Sequence, residues 1–305
     1  MTRPLRIGVQ LPEVERVVRW PELIAMCRRI EQLGFDAIWV GDHLLYRDPG
    51  SSEASGPWEA WTMLAGIAQA TSRVTIGPLV AATSFHAPAM LAKQAATVDE
   101  ISGGRLILGL GAGWNETEYR AFGFPFDHRI SRFEEAFTII RTLLRDGAID
   151  FDGTWYQARD CELLPRPARP DGPPLLLGSS GPRMLRIAAP WIAAWNAWYN
   201  ATGNRPDGLE PLRAAVDAAA RQAGRDPSTI QRTVAVLVQL TGAAGRLHGN
   251  STTEPITALA GRPEVIAEEL RAYARAGIDE VQLVLDPITL GSIEELGPVL
   301  ELLDA

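Results

Sequence analysis

The chain repeats one short unit from end to end: an apolar run of a few residues, then a longer stretch with apolar residues at helical spacing. The runs fall at 6–10, 37–42, 74–81, 105–111, 175–178, 192–198, 234–240 and 280–285. The helical stretches fall at 20–33, 57–71, 88–101, 131–146, 181–190, 208–223, 263–276 and 292–303. In the first of these Leu23, Ile24, Cys27, Ile30 and Leu33 share a face, and in 131–146 Phe133, Phe137, Ile140 and Leu144 do. The runs do not alternate polar with apolar residues, so each strand is expected to be buried on both faces. A strand–helix unit repeated in this way implies parallel pairing through right-handed crossovers. At 305 residues the pattern predicts a closed (β/α)8 TIM barrel, one domain over 1–305. An open doubly wound sheet is the competing architecture.

Three longer connections, 43–57, 114–130 and 241–262, follow strands and so rise at the C-terminal face, where such barrels keep their sites. A fourth, 147–173, is rich in Pro and Arg and reads as loop. With 46% hydrophobic and 22% charged residues, dominant disorder is excluded. A net charge of −8 and the lack of a basic run argue against nucleic-acid and membrane-surface partners. Two cysteines cannot build a disulfide framework, and four scattered histidines give no metal-ligand spacing. Cys27, on an apolar helix face, reads as packing. The start MTRPLRIGVQLP enters a strand at once, without a signal-peptide apolar core, and is read as that of a cytoplasmic protein. No stretch approaches the length of a membrane span. No Ser/His/Asp elbow, P-loop or HExxH motif occurs.

Chemistry is carried at four places. Gly41-Asp42-His43 ends the second strand, where an imidazole can hold or deliver a proton near neutral pH. A hydrogen bond to its own loop would account for His43 equally well. In the run from Asp99 to Glu116, Ser102-Gly103-Gly104 closes a helix, and Gly109, Gly111 and Gly113 strip one face of the following strand end of side chains. Either a flat ligand approaches that backbone or neighbouring elements pack closely there. The GxGxG run lacks the third glycine of a dinucleotide fingerprint. Gly178-Ser179-Ser180-Gly181-Pro182-Arg183 brings backbone N–H groups, two hydroxyls and a helix start to one point. That is a ready phosphate site, with Arg183 or Arg186 adding charge, or else a capped turn. Pro78 implies a bulge or irregular ladder in the third strand. Nine tryptophans, among them Trp58, Trp61, Trp114, Trp195 and Trp198, are many for this length, and several lie at strand tips or in mouth loops. Aromatic walls there would suit a planar ligand, although core packing accounts for most tryptophans.

The run from Asp99 to Glu116 resembles the signature of the bacterial luciferase-like monooxygenase superfamily. The segments GFDAIWVGDHLL (34–45) and GPRMLRIAAPWIAAWN (181–196) are similar to further segments of it, in order over nearly the whole chain. The resemblance implies a luciferase-like barrel with a flavin-type ring at the mouth, beside Gly111, Ala112, Gly113, Trp114 and Asn115. It implies a non-proline cis peptide at Leu79-Val80, next to Ala81, beneath that ring. It places the phosphate at Gly178, Ser179, Ser180 and Gly181, with Arg183 close by, and it implies a homodimer. In the branch using the deazaflavin coenzyme F420, an Asp-His pair contacts the ring, matching Asp42 and His43. Sugar-phosphate dehydrogenases of that branch carry a tryptophan shortly after the histidine and a glutamate after the glycines. Arg47 and Trp114 stand there instead, so the sugar-oxidising pair is incomplete, and GAGWNE resembles the wider deazaflavin-associated group.

These readings converge on an oxidoreductase moving a hydride between coenzyme F420 and a small organic substrate, with His43 orienting or protonating that substrate. FMN with oxygen, in a monooxygenase, is the alternative. A cofactor carrier without turnover and a flavin-free barrel isomerase or hydrolase are readings of other classes. Arg47, Arg129, Arg132 and Arg183 are candidates for the anionic tail of F420. Tyr46, Trp58, Phe122, Phe124, Phe126 and His248, in or beside the mouth loops, hint at an apolar or aromatic substrate.

Overall fold

The computed structural model describes residues 3–47, 53–245 and 256–305. One sheet holds β1 (Arg6–Gln10), β2 (Ala37–Val40), β3 (Thr75–Pro78), β4 (Ala81–Ala82), β5 (Leu108–Gly111), β6 (Leu175–Leu177), β7 (Ala194–Ala197), β8 (Gln231–Gln239) and β9 (Glu280–Asp286). Its neighbours pair in parallel in the order β3-β2-β1-β9-β8-β7-β6-β5-β4. Because β3 runs on into β4, the two ends of that order meet. Ile76 bridges Leu106 just ahead of β5, its N–H reaching Arg105 O at 3.1 Å and its carbonyl accepting from Ile107 at 2.9 Å. The ring therefore closes as a barrel of eight staves, the third split in two, and the open sheet is excluded. The split falls where Pro78 forecast an irregular ladder, and the Leu79-Val80 peptide is cis as the resemblance implied.

Around the barrel run α1 (Trp20–Leu33), α2 (Ala60–Ala70), α3 (Pro88–Ser102), α4 (Glu116–Phe122), α5 (Arg129–Asp146), α6 (Pro182–Ala188), α7 (Tyr199–Thr202), α8 (Glu210–Gln222), α9 (Pro263–Arg275), α10 (Leu290–Glu295) and α11 (Gly297–Asp304). Proline in the first turn starts α1, α3, α6, α8, α9 and α11, where its missing N–H costs nothing. Strand residues are buried on both faces in β2, β5, β6, β7 and β9, as their unbroken apolar character required. Helix α1 turns Leu23, Met26, Cys27 and Ile30 inward. Cys27 is fully enclosed, and burial pushes its thiol up to about 12, so it packs as a small apolar group.

Two expectations need correction. The last helix is not continuous over 292–303 but breaks at Leu296, because Pro298 has no N–H to donate back into the preceding turn. Within 147–173 lies an antiparallel hairpin, 148–152 with 157–162, rather than loop alone. Its turn is held by the Glu135 carboxylate, which accepts from the amides of Thr154, Trp155 and Tyr156 at 2.8–3.0 Å. At the opposite end of the barrel from the mouth, Arg105 ties α2 to β3. Its guanidinium donates to Ala68 O, Thr71 O, Thr71 Oγ1, Val74 O and Ser102 O at 2.7–3.0 Å. Among the described residues no helix is long and apolar enough to cross a membrane.

Candidate active site

The C-terminal ends of the strands open into one cavity of about 700 Å³, within the range of small-molecule sites. Its wall is assembled from successive staves: Asp42 and His43 after β2, Leu79, Val80 and Ala82 at the split stave, Gly111 to Trp114 after β5. Gly178 to Ser180 follow after β6, and Asn196 to Trp198 at the end of β7. Glu13, Tyr46, Glu118, Arg129 and Asn200 add further polar and aromatic groups.

The glycines behave differently from a bare platform. A Cβ at Gly111 would lie 2.7 Å from Val80 Cγ2, and one at Gly178 would meet both Val80 methyls at 2.8 Å. At Gly109 it would strike the Pro78 carbonyl at 2.2 Å. The absent side chains therefore make room for the split stave, and Val80 rather than bare backbone presents the flat surface to the cavity. Gly113 is required twice over, by its φ of 71° and by the Tyr119 hydroxyl, which would sit 2.0 Å from a Cβ. That hydroxyl donates to Ala112 O at 2.8 Å and fixes the turn.

His43 is held from one side. Its Nδ1 donates to Glu118 Oε1 at 2.9 Å, and Glu118 Oε2 accepts the Leu44 amide at 2.8 Å. Glu118 is 1% exposed and the His43 side chain 18%. Burial opposes the imidazolium, but the bond to Glu118 and the charges of Glu13, Glu118 and Asp42 outweigh it, so His43 titrates above its ordinary range. Asp42 faces another way than a ring contact alone would require: its Oδ2 accepts from Ala82 N–H at 2.9 Å and His86 Nε2 at 3.1 Å, tying β2 to the split stave. Above His43, Tyr46 and Trp114 form an aromatic rim, with ring centroids 4.8 and 5.6 Å from the imidazole.

At the other side, Ser179 and Ser180 face the cavity. The Ser179 carbonyl accepts from the indole of Trp195 at 2.9 Å, which seats the turn on β7, and its hydroxyl accepts the Gly181 amide at 3.3 Å. Among the described residues Ser180 makes no hydrogen bond to another residue. Arg129, the first residue of α5, lines the cavity, donating to Gly113 O at 2.7 Å above the Phe126 ring.

Four of the expected cofactor residues lie off the wall. Ala81 is buried in β4; Asn115 caps α4 and donates to Leu45 O; Gly181 lies behind Ser179 as the residue before α6. Arg183 turns outward to Glu134 at 2.7 Å and Ser131 at 3.1 Å. Arg132 is engaged by Asp127 and stacks on Trp155. Of the aromatics, Tyr46 reaches the cavity, whereas Phe124 and Phe126 pack on Phe85 and Tyr119. Phe122 and Trp58 are exposed, and His248 lies outside the described residues. Sequence reasoning did not find Glu13, Glu118, His86 or Asn196. Glu118 is announced only by an acidic first turn after the Asn115 cap, and nothing in one sequence pairs residue 118 with residue 43.

The family model "Luciferase-like monooxygenase" matches residues 5–244. An F420-dependent glucose-6-phosphate dehydrogenase of Intrasporangium calvum is 35% identical over 173 residues, 55% of this chain and 50% of the relative. A pyrimidine monooxygenase RutA of Cronobacter sakazakii is 36% identical over the same shares. The chain thus spans about half the length of these curated relatives. Among solved structures, an F420-dependent secondary alcohol dehydrogenase in complex with an F420-acetone adduct superposes with a TM-score of 0.79 at 21% identity, covering 97% of this chain and 98% of that one. That likeness is one of fold. With its signature runs, its split third stave and a family match over most of its length, the chain belongs to the luciferase-like monooxygenase family.

Proposed function

We propose that this protein is an F420-dependent oxidoreductase that moves a hydride between the cofactor and a small organic substrate. The observation that carries the reading is one cavity with two unlike ends: a small, hydroxyl-bearing turn before α6, and an imidazole backed by a buried carboxylate. The residues present fit a ring with an anionic tail. Ser179, Ser180 and Arg129 would receive the phosphate, and Val80, seated on Gly111 and Gly178, would lie against the ring. When bound, such a cofactor supplies hydride chemistry.

The chain's own part is positioning and proton handling. Glu118 occupies Nδ1 of His43, so Nε2 is the nitrogen left for a substrate. It takes the proton that an alcohol O–H loses as the C–H hydride departs, or returns it in the opposite direction. Tyr46 and Trp114 narrow the mouth over this nitrogen and limit water. The names of the F420-dependent relatives support F420. A second reading, reduced FMN with oxygen, is supported by the pyrimidine monooxygenases at equal identity. The test is titration of the apoprotein with F420 and with FMN, followed by turnover of His43→Ala. The proposal expects F420 to bind wild type and variant alike, with turnover lost in the variant. Tight binding of FMN alone, or full turnover by His43→Ala, overturns it.

A further inference from the structure

Beneath the cavity a line of buried polar side chains crosses the barrel. The Trp39 indole N–H donates to Glu280 Oε1 at 2.9 Å, and Gln282 Nε2 donates to the same oxygen at 3.3 Å. Gln282 Oε1 accepts from Asn196 Nδ2 at 2.7 Å. Asn196 Nδ2 also donates to Thr233 Oγ1 at 2.9 Å, and the Thr233 hydroxyl donates to Trp195 O at 3.1 Å. The Trp195 end of this line has fixed polarity, because a main-chain carbonyl only accepts. Because the Thr233 hydroxyl spends its only hydrogen on Trp195 O, it must accept from Asn196, so the group facing both Thr233 and Gln282 is the Asn196 amide nitrogen. Both of its hydrogens are then used.

The carboxamide oxygen is what remains. Asn196 is 5% exposed, and what it exposes is the cavity wall. Its Oδ1 receives no donor from the described residues. That oxygen opens onto the cavity, where a ligand N–H or O–H would meet an acceptor that no side chain engages. Its position points to the cofactor rather than the substrate. Asn196 is on β7, beside the Ser179 turn, which the adjoining Trp195 indole anchors. His43 leaves β2, four staves away in either direction.

We infer that Asn196 Oδ1 reads the cofactor ring by accepting the imide N–H of its pyrimidine portion, a donor that deazaflavin and flavin rings share. This rests on the proposed function, since it needs a flavin-type ring in the cavity. Asn196 therefore selects for the imide and not between F420 and FMN.

The test measures binding without turnover. F420, FMN and N3-methyl-FMN are titrated into wild type and Asn196→Ala, and the stronger of the two natural cofactors serves as reference. The inference expects Asn196→Ala to weaken the reference about tenfold, and N3-methylation to weaken FMN against wild type but not against the variant. Unchanged reference affinity in Asn196→Ala overturns it, as does an equal methylation penalty in both proteins. Should Asn196→Ala fail to fold, N3-methyl-FMN binding wild type as well as FMN does would overturn it alone, and weakened binding would support it. If neither F420 nor FMN binds wild type, the proposed function itself fails, which is a distinct result.

Discussion

If Gly111 exists to seat Val80, giving it a side chain should damage the barrel in a way that shrinking Val80 repairs. A Cβ at 111 would stand 2.7 Å from Val80 Cγ2, whereas carbon pairs settle at roughly 3.5–4.0 Å. Val80 or its stave must therefore shift by about 1 Å. Overpacking of this kind costs about 2 kcal/mol, or about 4 °C in Tm. Val80→Ala alone removes two methyl carbons from a half-buried side chain, worth about 1 kcal/mol. In Gly111→Ala/Val80→Ala the new methyl occupies space the valine has left, so the double variant should be more stable than the sum of the singles by about 1–2 kcal/mol. Urea denaturation of the four proteins measures this coupling. Additivity within about 0.5 kcal/mol would refute the packing explanation and return Gly111 to the role of a bare platform for a ligand.

Glu118→Gln keeps the shape of the side chain but removes a charge that favours the His43 imidazolium. Wild-type His43 is raised above the ordinary value of 6.5, so its contribution to stability is complete below that pH and is lost as pH rises through the folded-state value. Denaturation from pH 6 to 9 should show that loss in wild type and a smaller one in Glu118→Gln, and under the proposed function the acid limb of turnover should move to lower pH in the variant. Arg105→Ala removes the side-chain donor of four carbonyls, Ala68 O, Thr71 O, Val74 O and Ser102 O, at the foot of β3 and should cost about 2–4 kcal/mol in urea unfolding. Glu135→Ala removes the acceptor of three turn amides, so hydrogen exchange at Trp155 and Tyr156 should quicken about tenfold or more while the barrel amides hold.

Strand and helix periodicity made the barrel legible because each stave is buried on both faces and each helix on one. The hairpin after α5 escaped because its signal is a two-residue period across only Ile149 and Phe151, among charges that a short strand shares with loop. Its register is also set from outside, by Glu135. At the site, residues fixed by the local backbone were readable. Gly113 needs a left-handed φ, Pro182 starts α6, and His43 follows β2. The glycine ladder was visible but its cause was not, since Val80 reaches it from a neighbouring stave. Glu118, Glu13 and Asn196 act across 75, 30 and 86 residues of chain respectively, to His43, to the His43 charge field and to Gln282. Only closure of the barrel brings such pairs together.

The most direct test of the central claim is a crystal structure of this protein soaked with coenzyme F420. The account predicts the phosphate at Ser179 and Ser180, the ring against Val80 with its pyrimidine edge toward Asn196, and open space between the ring and His43. A phosphate held elsewhere, or a ring outside the cavity with Val80 and His43 untouched, would contradict it.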